Sequence, residues 1–321
     1  MYETKILITG ITGFAGSFLA EYLLYNTNHE IYGTFLSKEN IPDSIKKSSR
    51  IHLEFVDLTE KEKVGHLIQT IKPDMVYHLA ALTSPEDSFN DPLKTLVNNI
   101  SAQVYLLESI KEEKLKDTRI LIVSSAHIYG TVEKKDLPID ENVPLRPNNP
   151  YAVSKLTQDF LGLQYFLSYG FSIIRVRAFN HIGPRQSISI SISSFAKQIA
   201  EIEKGIKKPI IFVGNLQAKR DFTDVRDMVR AYSLILEKGK EGDVYNIGSG
   251  QSRTLKEVLD LLFSLSTTRI EIMVDKSLLR PTDAYELRCD GSKMEIITGW
   301  KPEISFKKTL QDILDYWRNI V

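Results

Sequence analysis

A tyrosine and a lysine stand four residues apart in "YAVSK", as Tyr151 and Lys155, near the start of a predicted helix. That spacing places both side chains on one face of the helix. The predicted strand that precedes this helix ends in Ser124 and Ser125. A serine hydroxyl polarises a carbonyl group, a tyrosine exchanges its proton, and a nearby ammonium lowers a phenol pKa from about 10 towards neutrality. Together these residues predict a site for hydride transfer.

The elements that position these side chains alternate between strands and helices. Short apolar, β-branched runs recur through the first 180 residues, and segments with helical periodicity lie between them. One helix is predicted to begin at a Thr59 N-cap, one at Asp91-Pro92, and the helix that carries Tyr151 is predicted to stop at Gly170. Because crossovers between parallel strands are right-handed, this order predicts an α/β fold with a doubly wound, Rossmann-type parallel sheet.

The alternation weakens after residue 180, where loops and a few helices follow. We predict a smaller lobe over the carboxyl edge of the sheet, with the chain crossing between lobes more than once. We predict that residues 1–180 form the Rossmann-type domain, that 224–248 return to it, and that 181–321 form most of the smaller lobe. The stretch "SISISIS", residues 187–193, is predicted to be a β-prone or loop segment.

Three glycines follow the first predicted strand in "ITGITGFAGSFLAEYLL", at positions 10, 13 and 16. Glycine lets the backbone approach a pyrophosphate closely, and a helix N-terminus supplies N–H groups and the positive end of a dipole. The strand before and the helix after these glycines support a phosphate loop over a chance or packing pattern. Asp57 ends the third strand, where it could bond an adenine amino group or serve only as an acid near a helix start.

The end of the second strand bears on the choice of cofactor. Its sequence "GTFLSKEN" places Ser37 and Lys38 where an Asp or Glu would hold a free ribose 2'-hydroxyl. This favours NADP(H). The arginine that would pair with a 2'-phosphate is also missing there, so NAD(H) stays open as a second cofactor.

Composition excludes several classes of partner. Lys plus Arg and Asp plus Glu both number 41, so the overall balance offers no footprint for nucleic acid or an anionic membrane. No leader and no run of eighteen apolar residues is seen, and we expect a cytoplasmic protein without a membrane segment. A single cysteine, Cys289, excludes an intramolecular disulfide, and no histidine spacing predicts a metal.

Several motifs resemble the extended short-chain dehydrogenase/reductase family, whose members act on nucleotide sugars. The likeness runs through the whole chain, and its motifs in the first half are "TGITGFAG", "SSAHIYG" and "YAVSK". In the second half, "RVRAFNHIGPRQ", "VGNLQAKRDFTDVRDMVRAY", "VYNIGSG", "LRPTD" and "TGWKPEISFKKTLQDILDYWR" are similar to the family's reductases of GDP-linked 4-keto sugars. GDP-mannose 4,6-dehydratases are near relatives of these reductases.

The resemblance assigns roles to individual residues. It places the catalytic serine on Ser125 and the acid and its lysine on Tyr151 and Lys155. Predicted cofactor-binding residues are Gly10, Thr12, Gly13, Phe14, Ala15, Gly16, Ser37, Asp57, Leu58, Leu79, Ala80, Ala81, Tyr151, Lys155 and His181. Predicted substrate-binding residues are Thr83, Ser125, His127, Asn180, Arg185, Arg220 and Arg280. Each of the three arginines could instead form a surface ion pair, and Asn98 is predicted to be a structural or water-relay residue beside the site.

His127 separates two readings of this resemblance. In the dehydratases the position two after the catalytic hydroxyl is a glutamate that removes a C5 proton, and here it is a histidine. Reduction of a 4-keto group needs a hydride and one proton but no such carboxylate. His127 therefore favours a reductase and is expected to pack under the sugar, with a substitute base as the alternative.

What the resemblance implies is NAD(P)H-dependent reduction of the C4 keto group of GDP-4-dehydro-6-deoxy-D-mannose to GDP-D-rhamnose. The alternatives are a 4,6-dehydratase that recycles its cofactor in place and a catalytically silent NADP-binding sensor. The resemblance also implies a homodimer in which the helices at 91–113 and 150–169 pair into a four-helix bundle.

Overall fold

The computed structural model describes residues 4–37, 41–278 and 286–321. Its strands are β1 (Lys5–Thr9), β2 (Glu30–Phe35), β3 (Ile51–Phe55), β4 (Met75–His78), β5 (Arg119–Ser125), β6 (Ile173–Ala178), β7 (Asn180–Ile182), β8 (Ile210–Val213), β9 (Lys219–Asp224), β10 (Val244–Ile247), β11 (Ser252–Thr254), β12 (Glu271–Val274) and β13 (Glu286–Leu287). Its α-helices are α1 (Phe14–Asn26), α2 (Asp43–Lys46), α3 (Lys61–Ile71), α4 (Pro85–Asn90), α5 (Pro92–Glu112), α6 (Pro150–Tyr169), α7 (Ser191–Glu203), α8 (Val225–Lys238), α9 (Leu255–Ser264), α10 (Ser292–Thr298) and α11 (Phe306–Ile320).

The larger sheet has seven parallel strands in the order β10-β6-β5-β4-β1-β2-β3. Along β1, Ile6 and Ile8 face a core built with α1, α8 and α10, whereas Leu7 faces a core built with α3, α5 and α6. Burial on both faces explains why the central strands are continuous apolar runs. The predicted fold class, a doubly wound Rossmann-type sheet, is confirmed.

A third hydrophobic core lies in the later part of the chain. Helices α7, α9 and α11 bury Phe195, Val258 and Leu314 together, next to Val213 of β8. Two small sheets accompany them: β9 pairs with β7, β11 and β13, and β8 pairs with β12. Strand β10 comes after β9 and α8 in the chain but pairs with β6. The chain therefore returns at this point to the edge of the large sheet. The division of domains at residue 180 stays a prediction.

Helix α6 begins and ends where the sequence predicts. Asn149 caps it, with its Oδ1 accepting a hydrogen bond from the Ala152 N–H at 2.8 Å, and Pro150 occupies the first turn. Gly170 ends it in the left-handed conformation at φ 69°. An N-cap of this kind stabilises a helix by about 1 kcal/mol. The flanking residues therefore set where α6 begins and ends, and with it the positions of Tyr151 and Lys155 in the helix.

The predicted Thr59 N-cap of α3 is wrong. The cap residue is Glu60, and it makes no side-chain capping bond. The Thr59 hydroxyl instead donates to Asp57 Oδ1 at 2.7 Å, so it is held back in the turn after β3. Among the described residues, no helix is both long enough and apolar enough to cross a membrane.

Candidate active site

A cleft of about 610 Å³ runs along the ends of four neighbouring strands of the large sheet. Gly10 lines it just after β1, Leu79 after β4, Ser125 at the end of β5 and Phe179 after β6. Strand β1 has β2 on one side and β4 on the other, which makes this the point where the strand order reverses. Doubly wound sheets bind their ligands at such a point.

The turn from β1 into α1 requires its glycines. Gly10 has φ 73°, and the Gly13 N–H donates to the Gly10 carbonyl at 3.0 Å. A Cβ atom on Gly16 would lie 2.2 Å from that same carbonyl oxygen, far inside contact distance. The backbone of the turn and the first turn of the helix are therefore packed too closely for any side chain at position 16.

The start of α1 suits a phosphate group. Its cap residue is Gly13, which has no side chain to accept a bond from the first amides at Phe14, Ala15 and Gly16. These N–H groups and the positive end of the helix dipole attract an anion. The turn and the helix start fit the pyrophosphate of a dinucleotide.

The structure brings all fifteen predicted cofactor-binding residues to the lining of this cleft. They are Gly10, Thr12, Gly13, Phe14, Ala15, Gly16, Ser37, Asp57, Leu58, Leu79, Ala80, Ala81, Tyr151, Lys155 and His181. The His181 ring stacks on Phe14 with centroids 5.8 Å apart and planes at 2°. Asp57 Oδ1 accepts bonds from the Thr59 N–H at 2.9 Å and the Thr59 hydroxyl, which fixes this carboxylate at the cleft edge.

The end of β2 carries no acid within the described residues. Leu36 and Ser37 follow the strand and are both exposed. Neither of these two residues would present a carboxylate to a 2'-phosphate, which agrees with the preference predicted for NADP(H). Lys38 lies outside the described residues.

Ser125 and Tyr151 form the polar centre of the cleft. Tyr151 is 8 % exposed and Ser125 is 7 % exposed, and both line the cleft. Burial raises the pKa of the Tyr151 phenol above its ordinary value, and the nearby Ser125 hydroxyl opposes that shift. Tyr151 therefore keeps its proton at neutral pH and is suited to act as an acid.

Lys155 is buried on the same helix, one turn further along. Burial lowers the pKa of its ammonium to about 7, although the carboxylate of Asp159 acts to raise it. Its Nζ donates to Gln158 Oε1 at 2.6 Å. The sequence predicts that Lys155 lowers the pKa of Tyr151, but here burial dominates at the phenol while the lysine bonds to the glutamine.

His127 lies directly beside the predicted acid. Its ring meets the Tyr151 ring edge to face, with centroids 5.8 Å apart and an angle of 72° between planes. Its backbone N–H donates to Ser125 Oγ at 3.2 Å. The position that is a glutamate in the dehydratases thus holds an imidazole within reach of the reacting groups.

The predicted substrate-binding residues divide into two sets. Thr83, Ser125, His127 and Asn180 line the cleft, and so does Asn98. Arg220 on β9 is half-buried outside the cleft lining and donates to the Lys219 carbonyl at 2.8 Å. Arg280 lies outside the described residues.

Arg185 also lies outside the cleft lining. Its guanidinium donates two bonds to the carboxylate of Glu21 on α1, at 3.0 and 2.7 Å, and lies 3.8 Å from the centroid of the Phe18 ring. This is the ion-pair alternative considered for Arg185, although the partner is an acid far away in sequence. Its role as a phosphate ligand stays a prediction.

Sequence reasoning missed two buried amides behind the catalytic helix. Asn99 is fully buried, accepts a bond from the Leu82 N–H at 2.7 Å and donates to Ser154 Oγ at 2.9 Å. Gln158 contacts Lys155 as described above. A Gln three residues after the lysine could have been noticed on the same helix face. The contact between Gln158 and Asn99 of α5 could not have been noticed, because it depends on how the two helices pair.

Comparison with known proteins identifies the family of this chain. The model of the family described as GDP-mannose 4,6 dehydratase matches residues 7–313. The chain belongs to this family. It thereby belongs to the extended short-chain dehydrogenase/reductases, as the motifs predict. The family comprises enzymes of nucleotide-sugar metabolism, and the predicted enzyme class is confirmed at this level.

Several relatives and solved structures align along nearly the entire chain. The GDP-6-deoxy-D-mannose reductase of Pseudomonas aeruginosa is 35% identical over 317 residues, 99% of this chain and 98% of the relative. The structure of RMD from Pseudomonas aeruginosa complexed with NADPH has a TM-score of 0.87 and 34% identity, covering 99% of this chain and 100% of that one. The Thermus thermophilus UDP-glucose 4-epimerase complex with NAD has a TM-score of 0.86 and 26% identity, with coverage of 99% and 100%.

Proposed function

We propose that this protein reduces the C4 keto group of GDP-4-dehydro-6-deoxy-D-mannose to GDP-D-rhamnose with NADPH. The observation that carries the proposal is the buried Ser125–Tyr151 pair beside an imidazole, at a position where dehydration would call for a carboxylate. The 35% identity to a GDP-6-deoxy-D-mannose reductase supports the same conclusion.

The chain's own groups divide the reaction between them. Bound NADPH supplies the hydride that reaches C4. Tyr151 donates its proton to the oxygen that becomes an alkoxide, and its raised pKa keeps that proton available at neutral pH. Ser125 donates a hydrogen bond to the same oxygen and stabilises its developing charge. Lys155 lines the same cleft, and its ammonium would bind the nicotinamide ribose.

A 4,6-dehydratase is the second candidate, because the matching family model carries that description. It would require a base to remove the C5 proton, and His127 is the group beside Tyr151 that could accept it. Reduction needs no base, so under the main proposal His127 only packs under the sugar. A silent NADP-binding sensor is disfavoured, since it would have no use for a complete Ser-Tyr-Lys set.

Recognition of the GDP-sugar is assigned to residues of the cleft lining and to arginines of the later part of the chain. Thr83, His127 and Asn180 lie in the lining and contact the sugar and its neighbourhood under this proposal. Arg220 is proposed to bind the diphosphate, because guanidinium pairs bidentately with phosphate oxygens. Arg280 has the same predicted role. We further propose that residues 1–180 with 224–248 hold the cofactor, and that 181–321 supply most of the nucleotide-sugar contacts.

NADH is the second cofactor candidate. The described residues at the end of β2, Leu36 and Ser37, carry neither an acid that would exclude a 2'-phosphate nor a cation that would require one. We therefore expect NADPH to be preferred without NADH being rejected outright.

A homodimer through α5 and α6 is also proposed. These helices pack on each other and leave large apolar side chains exposed, among them Leu93, Val97, Phe160 and Leu167. An exposed apolar face shared by two neighbouring helices is suited to pair with its own copy around a two-fold axis. The cytoplasmic location stays a prediction.

A parallel assay tests the proposed reaction. The purified protein is incubated with GDP-4-dehydro-6-deoxy-D-mannose and either NADPH or NADH, and separately with GDP-mannose alone, while absorbance of the reduced nicotinamide is followed. Stoichiometric cofactor oxidation with the keto sugar is expected, and Tyr151→Phe should slow it by about 10²–10⁴ while still binding NADPH. Conversion of GDP-mannose without net cofactor use would overturn the reductase and identify His127 as a base.

A further inference from the structure

The Lys155 ammonium has a neutral partner. Its Nζ donates to Gln158 Oε1 at 2.6 Å, and the two side chains belong to residues only 5 % and 1 % exposed. A buried ammonium without an acceptor is costly, and an amide oxygen satisfies it without adding a charge. This contact therefore bears directly on whether Lys155 stays protonated and where it points.

Gln158 is held so that its oxygen faces the lysine. Its Nε2 donates to the Asn99 carbonyl of α5 at 2.8 Å, and this bond orients the amide. Gln103 Nε2 donates at 2.8 Å to the backbone carbonyl of Gln158 only and does not orient its side chain. A carbonyl can only accept and an ammonium can only donate, so no other orientation of this amide satisfies both neighbours. Helix α5 thereby fixes the position of the acceptor that Lys155 meets on α6.

The other charged or titratable groups near Lys155 are either bound to other residues or uncharged. Asp159 on α6 is bound by Arg175 Nη1 at 2.5 Å and by Arg177 Nε at 2.8 Å, both from β6. His78 on β4 faces the site from the sheet, and burial together with Lys155 lowers its pKa to about 3, so it is neutral. Tyr151 on α6 keeps its proton because burial raises its pKa.

Two phenols complete the surroundings of this group of residues. Tyr232 of α8 is fully buried, lines the cleft and has its pKa raised by burial and by Tyr151, so it is uncharged as well. Tyr129 binds Arg177 at 3.0 Å from the far side. The two arginines of β6, Arg175 and Arg177, are thus paired with Asp159. The hydrogen-bond partner of Lys155 is the amide of Gln158.

We propose that Gln158 is a positioning residue for Lys155, holding its ammonium in place and in the charged form for the catalytic cycle. The kinetic part of this inference rests on the proposed reductase activity, whereas the effect on the protonation of Lys155 does not. Because the amide is neutral, it accepts a bond from the ammonium without neutralising the charge, as a carboxylate at the same place would.

The test compares two substitutions with opposite expected effects. Gln158→Leu removes the acceptor at similar volume, so the pKa of Lys155 should fall by about one unit. Reductase kcat/KM should then drop about tenfold at pH 8 and less than twofold at pH 6, since only the alkaline side depends on retaining that proton. Gln158→Glu adds a negative charge next to the ammonium and should move the alkaline limb to higher pH. Gln103→Leu is the matched control, because this buried amide also bonds Gln158 but does not contact Lys155. The alkaline limb of this variant should stay at the wild-type pH.

A direct titration separates this inference from the proposed function. The Lys155 side chain is followed by NMR of lysines labelled at Cε, with its signal assigned by its loss in Lys155→Met. Opposite displacements of its titration in the two Gln158 variants support the proposal even if no keto sugar is reduced. An unmoved titration in both variants, or an equal displacement in Gln103→Leu, would overturn it and leave Gln158 with a packing role only.

Discussion

Burial shifts the proton affinities of the two catalytic residues of α6 in opposite directions. It raises the pKa of Tyr151, whose charged form is an anion, and lowers the pKa of Lys155, whose charged form is a cation, to about 7. The acid therefore holds its proton across the physiological range, while the ammonium is on the point of losing its own. The loss of a proton from Lys155 should therefore control how the reaction rate depends on pH.

This assignment predicts the alkaline limb of the pH profile. The pKa of Lys155 is depressed to about 7, so its positive charge is present below that pH and is lost as the pH rises through it. We expect kcat/KM for keto-sugar reduction to fall with a limb near pH 7. Steady-state rates between pH 5.5 and 9.5 would measure it. The residual activity of Lys155→Arg should lack this limb, and a wild-type profile that stays flat to pH 9 would refute the assignment.

The turn between β1 and α1 places a strict requirement on the sequence. A Cβ atom at Gly16 would meet the Gly10 carbonyl at 2.2 Å, whereas one at Gly65 in α3 would find its nearest neighbour, Ser109 Oγ, 4.0 Å away. These two helical glycines therefore form a matched pair for substitution by alanine.

Gly16→Ala should lower the free energy of unfolding by about 1–3 kcal/mol through overpacking and weaken NADPH binding at least about tenfold. Gly65→Ala should leave NADPH binding unchanged and stabilise α3 by up to about 1 kcal/mol. Urea unfolding and NADPH fluorescence titration measure both quantities. Equal NADPH affinity in the two variants would show that the turn is not the phosphate site.

The Arg185–Glu21 pair joins the segment after β7 to α1, at side-chain exposures of 24% and 22%. Arg185→Met keeps the stem over Phe18 but removes the charge, and we expect it to lower the free energy of unfolding by about 1 kcal/mol. Glu21→Gln should have the same effect, and a double-mutant cycle should show that the two losses are coupled. The KM for the GDP-sugar should not change. A KM raised tenfold with unaltered stability would instead support the predicted role of Arg185 as a phosphate ligand.

Local signals in the sequence predicted elements that depend on local chemistry. The Asn149-Pro150 start and the Gly170 end of α6 follow from capping, and so does the glycine turn. The segment "SISISIS" shows the limit: its last three residues form the first turn of α7, because Ile192, Phe195 and Ile199 bury one helical face. The Arg185–Glu21 contact depends on packing, and the sequence gives no signal for it. The Lys155–Gln158 contact is local to α6, and its i, i+3 spacing was a signal that could have been noticed.

At the scale of the whole molecule, the switch point of the sheet brings the cofactor loop and the catalytic residues into one cleft. Strand order predicts this meeting point, so the cofactor-binding and catalytic predictions converge there. The distant arginines were harder to predict, because Arg220 lies on a small sheet whose placement against the cleft has no period or motif in the sequence.

The exposed apolar faces of α5 and α6 predict the assembly state. Phe160 is 50% and Leu167 is 70% exposed, and placing a charge at a paired apolar face is unfavourable. Phe160→Glu combined with Leu167→Glu should convert a dimer into a monomer in sedimentation velocity experiments. Tyr25→Glu, at an 82% exposed position on α1, is the control and should remain dimeric. A wild-type protein that sediments as a monomer at micromolar concentration would refute the dimer.

The measurement that bears most directly on the central claim is the fate of deuterium from NADPH. The protein is incubated with GDP-4-dehydro-6-deoxy-D-mannose and NADPH dideuterated at C4 of the nicotinamide, and the product is examined by NMR. We predict one deuterium on C4 of the sugar, none on C5, and one cofactor oxidised per product, with Tyr151→Phe reducing the yield. Unchanged keto sugar, together with conversion of GDP-mannose in the absence of added cofactor, would contradict the account.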